Sequence, residues 1–193
     1  MKAFSNYEET KTYVERPMLP VGAYPIIIKV AEEKTYPTKD GSDFSRFEIS
    51  FDICDGEFKD FFADDYRAQT QEDKKWKGVL RQYLPKDDGS EKDEWTKRSF
   101  KTLITAIEES NAKFHWDWDE KKLKGLKVAC LFRNEEWEYE GKTGWKAQPF
   151  KFISMEQFTK GEYKVPKDKP LANKPAPAEF QEISNLTDED LPF

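Results

Sequence analysis

The clearest pattern in the chain is Arg46-Phe47-Glu48-Ile49-Ser50-Phe51-Asp52-Ile53, in which polar and apolar residues alternate without interruption. Such alternation predicts a β-strand with one buried face and one solvent face. The buried face is predicted to consist of Phe47, Ile49, Phe51 and Ile53, and the solvent face of Arg46, Glu48, Ser50 and Asp52.

The segments on both sides of this strand extend it into a sheet. Residues 24–30 alternate in the same way, and Asp40-Gly41 is a hairpin signal between the two strands. Asp55-Gly56 marks another turn, after which Glu57–Phe62 is predicted to be a third strand. Residues 22–62 are therefore predicted to form a three-stranded antiparallel meander.

Two helices and a second hairpin are predicted further along the chain. Tyr66–Tyr83 has large apolar residues at helical spacing, and Trp95–Glu109 has a complete amphipathic pattern. Alternation returns at Leu126–Phe132. The segments Glu135–Tyr139 and Trp145–Ile153 flank the turn at residues 140–144.

Three strands, a helix and two or three further strands follow one another in the order of an OB-fold. This fold is a partly open five-stranded β-barrel with one helix between its third and fourth strands. The chain is accordingly predicted to be mainly β, a β-barrel with one or two helices. The alternative is an α+β sandwich, in which a helix packs across an open sheet.

Composition divides the chain into three parts. Residues 1–20 form a polar N-terminal arm that ends in a proline-containing run, and residues 21–163 form the folded domain. Residues 164–193 are predicted to be a disordered linker with an acidic tip, because they are rich in Pro, Lys and Ala and contain little to bury.

Charge and aromatic content point to a binding surface on the domain. The net charge of the chain is −6. Residues 179–193 contain five acidic residues and no Lys or Arg, so this segment carries −5 and residues 1–178 carry −1. Aromatic residues make up 15% of the chain, more than a small core requires.

No apolar run is long enough to span a membrane and no secretory signal is present, which predicts a cytoplasmic location. Cys54 and Cys130 are predicted to be buried, reduced thiols.

Both predicted hairpins combine aromatic and cationic residues, as sequence-tolerant binding of single strands requires. Aromatic rings stack on bases, and Lys or Arg side chains neutralise phosphates. The first hairpin offers Lys34, Tyr36, Lys39, Phe44 and Arg46, and the second offers Arg133, Trp137, Tyr139, Lys142, Trp145 and Lys146. Trp76 and Lys77 are weaker candidates. The alternative is that these rings only cover the ends of the barrel.

The C-terminal tip has the composition of a peptide ligand. Three carboxylates at Asp188, Glu189 and Asp190 precede the apolar residues Leu191, Pro192 and Phe193. The acidic run would steer the tip toward a basic surface, and Phe193 would enter an apolar pocket with its α-carboxylate held by a cation. The alternative is an ordinary acidic, solubilising tail.

Other chemistry finds little support in the sequence. His115 is the only histidine, and its spacing from Asp117 and Asp119 matches no known metal site. The chain lacks a glycine-rich phosphate loop and a nucleophile elbow. We therefore expect no metal, no cofactor and no catalytic residue, and the protein is predicted not to be an enzyme.

Taken together, the chain resembles phage-encoded single-stranded-DNA-binding proteins of the OB-fold kind. The resemblance rests on residues 19–24 with the following strand and residues 31–34, on the hairpin at Thr38–Ser42 with the turn at residues 55–57, and on the Leu191-Pro192-Phe193 tip. It implies coating of single-stranded DNA during replication, recombination or repair, in the host cytoplasm. It also implies that the tip recruits replication and recombination proteins and competes for the protein's own basic groove. A homo-oligomer is left open.

Two functions from other classes remain as alternatives to DNA binding. One is a protein-interaction or inhibitor module that binds no nucleic acid, and the other is a small metal-dependent nuclease. Quenching of tryptophan fluorescence by oligo-dT would separate DNA binding from the first, and metal-dependent loss of an oligonucleotide would reveal the second.

Overall fold

The computed structural model describes residues 5–8, 18–37, 41 and 43–171. This part of the chain is mainly β and contains one five-stranded antiparallel sheet. In chain order, the elements are β1 (Gly22–Pro37), β2 (Asp43–Ile53), α1 (Phe61–Ala68), β3 (Val79–Tyr83), α2 (Glu91–Ser110), a 3₁₀ helix (Glu120–Leu123), β4 (Lys127–Tyr139), β5 (Lys142–Ile153) and α3 (Met155–Lys160).

The strands lie side by side in the order β3-β2-β1-β4-β5. The first hairpin joins β1 to β2 and the second joins β4 to β5, as the sequence predicts. Some Cα atoms of β3 and β5, the two outer strands, come within 8 Å of each other. The sheet is therefore strongly curved. In the sequence, α2 lies between β3 and β4.

Alternation along β2 places the core where the sequence predicts it. Phe47, Ile49, Phe51 and Ile53 are all buried. They pack with the apolar side of α2, which buries Leu103, Ile104 and Ile107, and with Phe132 and Phe152 of the second hairpin. Helix α2 begins after Ser90, whose hydroxyl accepts a 3.2 Å hydrogen bond from the backbone N–H of Asp93. The helix at Trp95–Glu109 is thus confirmed, with one extra turn at its N-terminus.

Two elements differ from the sequence prediction. The third strand predicted at Glu57–Phe62 is wrong, because residues 57–60 form a turn and α1 begins at Phe61. The helix predicted over Tyr66–Tyr83 is also wrong, because α1 ends at Ala68 and Val79–Tyr83 is strand β3. The described residues therefore contain three α-helices rather than one or two.

Asp52 shows why a residue on the outer side of β2 is buried. Its carboxylate accepts backbone hydrogen bonds from Ile53 at 3.0 Å, Phe62 at 3.0 Å and Ala63 at 3.1 Å. It therefore satisfies N–H groups in the first turn of α1, a task that the N-cap residue Asp60 does not perform with its own side chain. The outward direction of Asp52 agrees with the alternation, but its predicted exposure is wrong, because α1 covers it and leaves 1% of its surface exposed. Glu48 is a second correction of this kind, with 8% exposed.

The chain beyond α3 returns to the sheet. Lys169 pairs in parallel with β4, since its N–H donates to the Asn134 carbonyl at 2.8 Å and its carbonyl accepts from the Glu136 N–H at 3.0 Å. Both cysteines are free thiols, Cys130 buried and Cys54 half-buried. Within residues 5–8, 18–37, 41 and 43–171, no helix is long and apolar enough to cross a membrane.

Candidate nucleic-acid-binding surface

Strands β1 and β2 bring four of the binding residues predicted on the first hairpin, Lys34, Tyr36, Phe44 and Arg46, onto one outer side of the sheet. Directly opposed residues of an antiparallel pair share a face, and the register pairs Tyr36 with Phe44 and Lys34 with Arg46. Strand β3 adds Tyr83, which lies opposite Arg46. We call this surface the strand face, and its members are Lys34, Tyr36, Phe44, Arg46, Glu48, Arg81 and Tyr83.

Three aromatic rings of the strand face gather around one guanidinium group. The Tyr36 and Phe44 rings stack with centroids 5.6 Å apart at 24°, and the Phe44 and Tyr83 rings lie 6.0 Å apart. The guanidinium carbon of Arg46 lies 4.5 Å from the Tyr36 centroid, 4.9 Å from that of Phe44 and 5.8 Å from that of Tyr83. These distances are those of cation–π contacts, so Arg46 is held in place by the rings.

Glu48 neutralises part of the positive charge of the strand face. Its carboxylate lies 3.3 Å from the Arg81 guanidinium and 3.6 Å from the Lys34 ammonium, and it accepts a hydrogen bond from Tyr36. Burial alone would raise the pKa of Glu48, but the Tyr36 hydrogen bond and the charges of Arg81, Lys34 and Arg46 outweigh it and lower the pKa. The hydrogen bond to Glu48 is also the main reason why the pKa of Tyr36 is raised. Glu48 is therefore charged at neutral pH.

The second hairpin is a two-stranded ribbon whose two faces differ in charge. We call residues 133–139 and 142–148 the ribbon. The register pairs Trp137 with Gly144, Tyr139 with Lys142 and Glu135 with Lys146. The face of the ribbon on which these paired residues lie therefore carries two aromatic rings and an excess of positive charge. This face comprises Arg133, Glu135, Trp137, Tyr139, Lys142, Gly144, Lys146 and Gln148.

Trp145 lies on the opposite face of the ribbon. It pairs with Glu136, and Glu138 lies on the same side. The sequence groups Trp145 with Trp137, but the ladder separates them. An acidic environment on one side and a basic one on the other make the two tryptophans unequal candidates for contact with a polyanion.

Local packing fixes the side chains of the basic ribbon face. The Trp137 ring lies against Gly144, where an added Cβ would be 2.8 Å from a ring carbon. Arg133 lies 4.5 Å over the Phe150 ring and donates hydrogen bonds to Glu135 at 2.6 and 3.1 Å. Trp137 nonetheless leaves 41% of its surface exposed and Tyr139 leaves 68%, so both rings are accessible from solvent.

Lys77 lies close enough to Lys146 of the ribbon to influence the pKa of Lys146. The Lys146 residue is exposed as a whole, but its ammonium is close to surrounding protein, and this desolvation is the main reason that its pKa is lowered. The positive charge of Lys77 lowers the pKa further, while the negative charge of Asp65 opposes it. Lys77 itself pairs with Asp65 at 2.9 Å. Lys77 lies two residues before β3, so its influence on Lys146 brings the ribbon near the start of that strand.

Some predicted site residues lie elsewhere or outside the described residues. Trp76 is half-buried, and its indole N–H donates to the backbone carbonyls of Phe51 at 3.1 Å and Gly78 at 3.2 Å, so it anchors β3. Lys39 lies outside the described residues. So does the whole tip, Asp188, Glu189, Asp190, Leu191, Pro192 and Phe193. His115 is exposed and lies 2.9 Å from Glu108.

Sequence reasoning missed Arg81 and Tyr83, because residues 66–83 were assigned to a helix. A usable signal was present, since Val79, Arg81 and Tyr83 alternate with Leu80 and Gln82. On the strand face these two residues add a third ring and a third cation. β3 therefore completes a surface that the first hairpin provides only in part.

A separate apolar cleft lies beside α2. Its walls include Phe100, Trp116 and Trp118, it has a volume of about 590 Å³, and Lys97 and Lys101 lie at its edge. The Phe100 and Trp118 rings stack at 6.2 Å and 10°. Trp118 is 77% exposed, and its backbone has a φ of 68°, a left-handed conformation that is unusual for a tryptophan.

Comparison of the chain with models of known protein families and with curated proteins finds no match. The function is therefore inferred from the residues of the strand face, the ribbon and the cleft beside α2.

Proposed function

We propose that this protein is a non-enzymatic, sequence-tolerant single-stranded-DNA-binding protein built on an OB-fold. The strand order β3-β2-β1-β4-β5, the approach of β3 to β5 and the position of α2 between β3 and β4 all support that fold. OB-folds bind oligonucleotides on the face of their second and third strands, flanked by the two hairpin loops. The strand face on β1, β2 and β3 and the ribbon at the second hairpin fit this mode of binding, which supports the proposal.

The observation that carries the proposal is the combination of rings and cations on the strand face and on the ribbon. Tyr36, Phe44 and Tyr83 lie beside Arg46 on the strand face, and Trp137 lies among basic neighbours on the ribbon. Stacking contributes about 1–3 kcal/mol per base, and each phosphate contact adds a salt-dependent term. Neither requires a particular base, so binding would tolerate any sequence.

Titration with labelled oligo-dT at two salt concentrations tests this proposal. We expect saturable binding that weakens with salt, and a loss of roughly tenfold or more in affinity for Trp137→Ala. Trp145→Ala is the matched control, because the same side chain is removed from the acidic face of the same ribbon. Absence of binding by the parent protein at low salt would rule the proposal out.

We further propose that the acidic tip recruits replication and recombination proteins and occupies the basic surface when DNA is absent. The tip carries the charge of a short phosphate chain, and Lys169 and Leu171, which precede it in the chain, donate backbone hydrogen bonds to Asn134 and Glu136 of the ribbon. Deletion of residues 179–193 should then tighten binding of oligo-dT and abolish partner binding. Weaker DNA binding after deletion would contradict the competition.

A protein-interaction module is a second candidate function, and the cleft beside α2 is the observation that favours it. Exposed tryptophan in an apolar cleft is typical of surfaces that bind proteins. The two functions make different predictions for Trp118→Ala. If DNA binds the strand face and the ribbon, this variant keeps the oligo-dT affinity of the parent protein.

A further inference from the structure

We propose that the first hairpin binds a phosphodiester group through Arg46 and does not stack a base on Tyr36 or Phe44. The inference rests on the proposed function, and it assigns a ligand group to one part of the surface. Its starting point is the position of the guanidinium, 4.5 Å from the Tyr36 centroid and 4.9 Å from the Phe44 centroid. The rings that a base would need are thus already covered by a cation.

The other two cations of the strand face are already paired with carboxylates. Lys34 lies 2.7 Å from Glu32 and 3.6 Å from Glu48, and Arg81 lies 3.3 Å from Glu48. Among the described residues, Arg46 forms no ion pair, and its buried Nε atom has no hydrogen-bond partner. Arg46 is therefore the cation of this surface whose charge remains available to an incoming anion.

The geometry of Arg46 suits a phosphate. A guanidinium presents its N–H groups as a planar fork that matches two phosphate oxygens, and stacking on aromatic rings leaves the edge of that fork free. Because the rings hold the side chain in place, less rotamer entropy is lost when an anion binds. A lysine keeps the charge but lacks both the fork and the flat contact with the rings.

This arrangement divides the work between the two hairpins. Trp137 and Tyr139 have exposed rings with no cation over them among the described residues, so they are the platforms that remain for bases. Arg46 would hold the phosphate backbone of the DNA on the strand face, next to β3. Arg133 supplies a contrast, because it also lies over a ring but donates its hydrogen bonds to Glu135.

Two ligands of equal length separate the contributions of phosphate and base, namely oligo-dT and an abasic deoxyribose-phosphate oligomer. We expect Arg46→Lys to weaken binding of both ligands by a similar factor, roughly tenfold, because a bidentate charged contact is lost. Arg46→Gln should also reduce the slope of log K against log salt by about 0.7, the value for one phosphate contact on a single strand. Trp137→Ala should weaken oligo-dT alone.

Arg98→Lys is the matched control, and it should change either affinity less than about twofold, because Arg98 is an exposed residue of α2 outside the strand face and the ribbon. Tyr36→Leu provides an independent test. If Tyr36 only orients Arg46, this variant weakens both ligands equally, whereas selective loss of oligo-dT binding would show base stacking and overturn the inference. Thermal unfolding of each variant checks that it is folded. Failure of the parent to bind either ligand would instead refute the proposed function.

Discussion

The hydroxyl of Tyr36 donates a hydrogen bond to the carboxylate of Glu48, with the two oxygens 2.8 Å apart. This contact places a buried negative charge in the middle of a surface that otherwise carries Lys34, Arg46 and Arg81. Glu48 thereby orders the surface, but it also opposes the approach of a polyanion. The order of the surface depends on the Glu48 carboxylate, whereas the proposed affinity for DNA would be higher without its charge.

Glu48→Gln is therefore expected to tighten DNA binding. Glutamine keeps an oxygen that accepts the Tyr36 hydrogen bond, while removing the charge that neutralises Arg81 and Lys34. The expected gain is on the order of 1 kcal/mol, roughly fivefold in Kd, at low salt. Fluorescence anisotropy with labelled oligo-dT measures it.

Glu33→Gln is the control for this prediction. Glu33 is an exposed acid on the neighbouring strand β1, but it pairs with Phe47 in the register and so belongs to the other face of the sheet. A similar gain in both variants would show only the effect of net charge on the whole protein.

Glu48 should also make stability depend on pH. Its pKa in the folded protein is below the ordinary value of 4.5, so the folded state binds fewer protons than the unfolded state in that range. The resulting stabilisation is present above pH 4.5 and is lost as the pH falls through the lower folded pKa. Urea denaturation of the parent and of Glu48→Gln should therefore show a difference at about pH 7 that shrinks at about pH 3.5. A difference that does not depend on pH would contradict this assignment.

Asp52→Ala is expected to destabilise the protein without touching the binding surface directly. The substitution removes the acceptor for three backbone N–H groups, two of them in the first turn of α1. Leaving such buried donors without a partner costs about 3 kcal/mol. Asp73→Ala, at an exposed position, should change the free energy of unfolding by less than about 0.5 kcal/mol. Equal effects of the two substitutions would show that Asp52 does not hold α1.

Alternation and amphipathic spacing were sufficient to predict β1, β2, α2 and the second hairpin. In each case the element is long, and its pattern follows the face that it buries. Phe47 and Ile49 of β2 point into the core, as their parity requires. The described tertiary structure changes nothing in these elements except their lengths.

β3 could not be predicted locally, because tertiary contacts decide it. Trp76, Val79, Leu80 and Tyr83 fit helical spacing, but the backbone at Gly78 lies against β2. A Cβ at that position would lie 2.5 Å from the Phe51 carbonyl oxygen and 2.6 Å from the Phe62 ring. Glycine permits this close approach, and the ladder with β2 then overrides helical propensity.

The start of α1 has the same kind of cause. The acceptor for its first N–H groups is Asp52, which lies ten residues before Phe62 in the chain. The residues near the start of α1 therefore give no signal in the sequence for this hydrogen bond. For the candidate site, parity assigned Arg46 and Phe44 correctly to one side, whereas the separation of Trp137 from Trp145 depends on the register across the turn.

Gly144→Ala tests whether the basic face of the ribbon binds DNA through Trp137. An alanine Cβ would lie 2.8 Å from the ring, so the ring must leave its position against the backbone. We expect a shift in tryptophan fluorescence and a loss of oligo-dT affinity approaching that of Trp137→Ala, about 1–3 kcal/mol. Thr143→Ala alters the neighbouring position on the opposite face of the ribbon and should leave both signals unchanged. If Gly144→Ala moves the fluorescence but leaves the affinity intact, the Trp137 ring is displaced without cost and does not stack on a base.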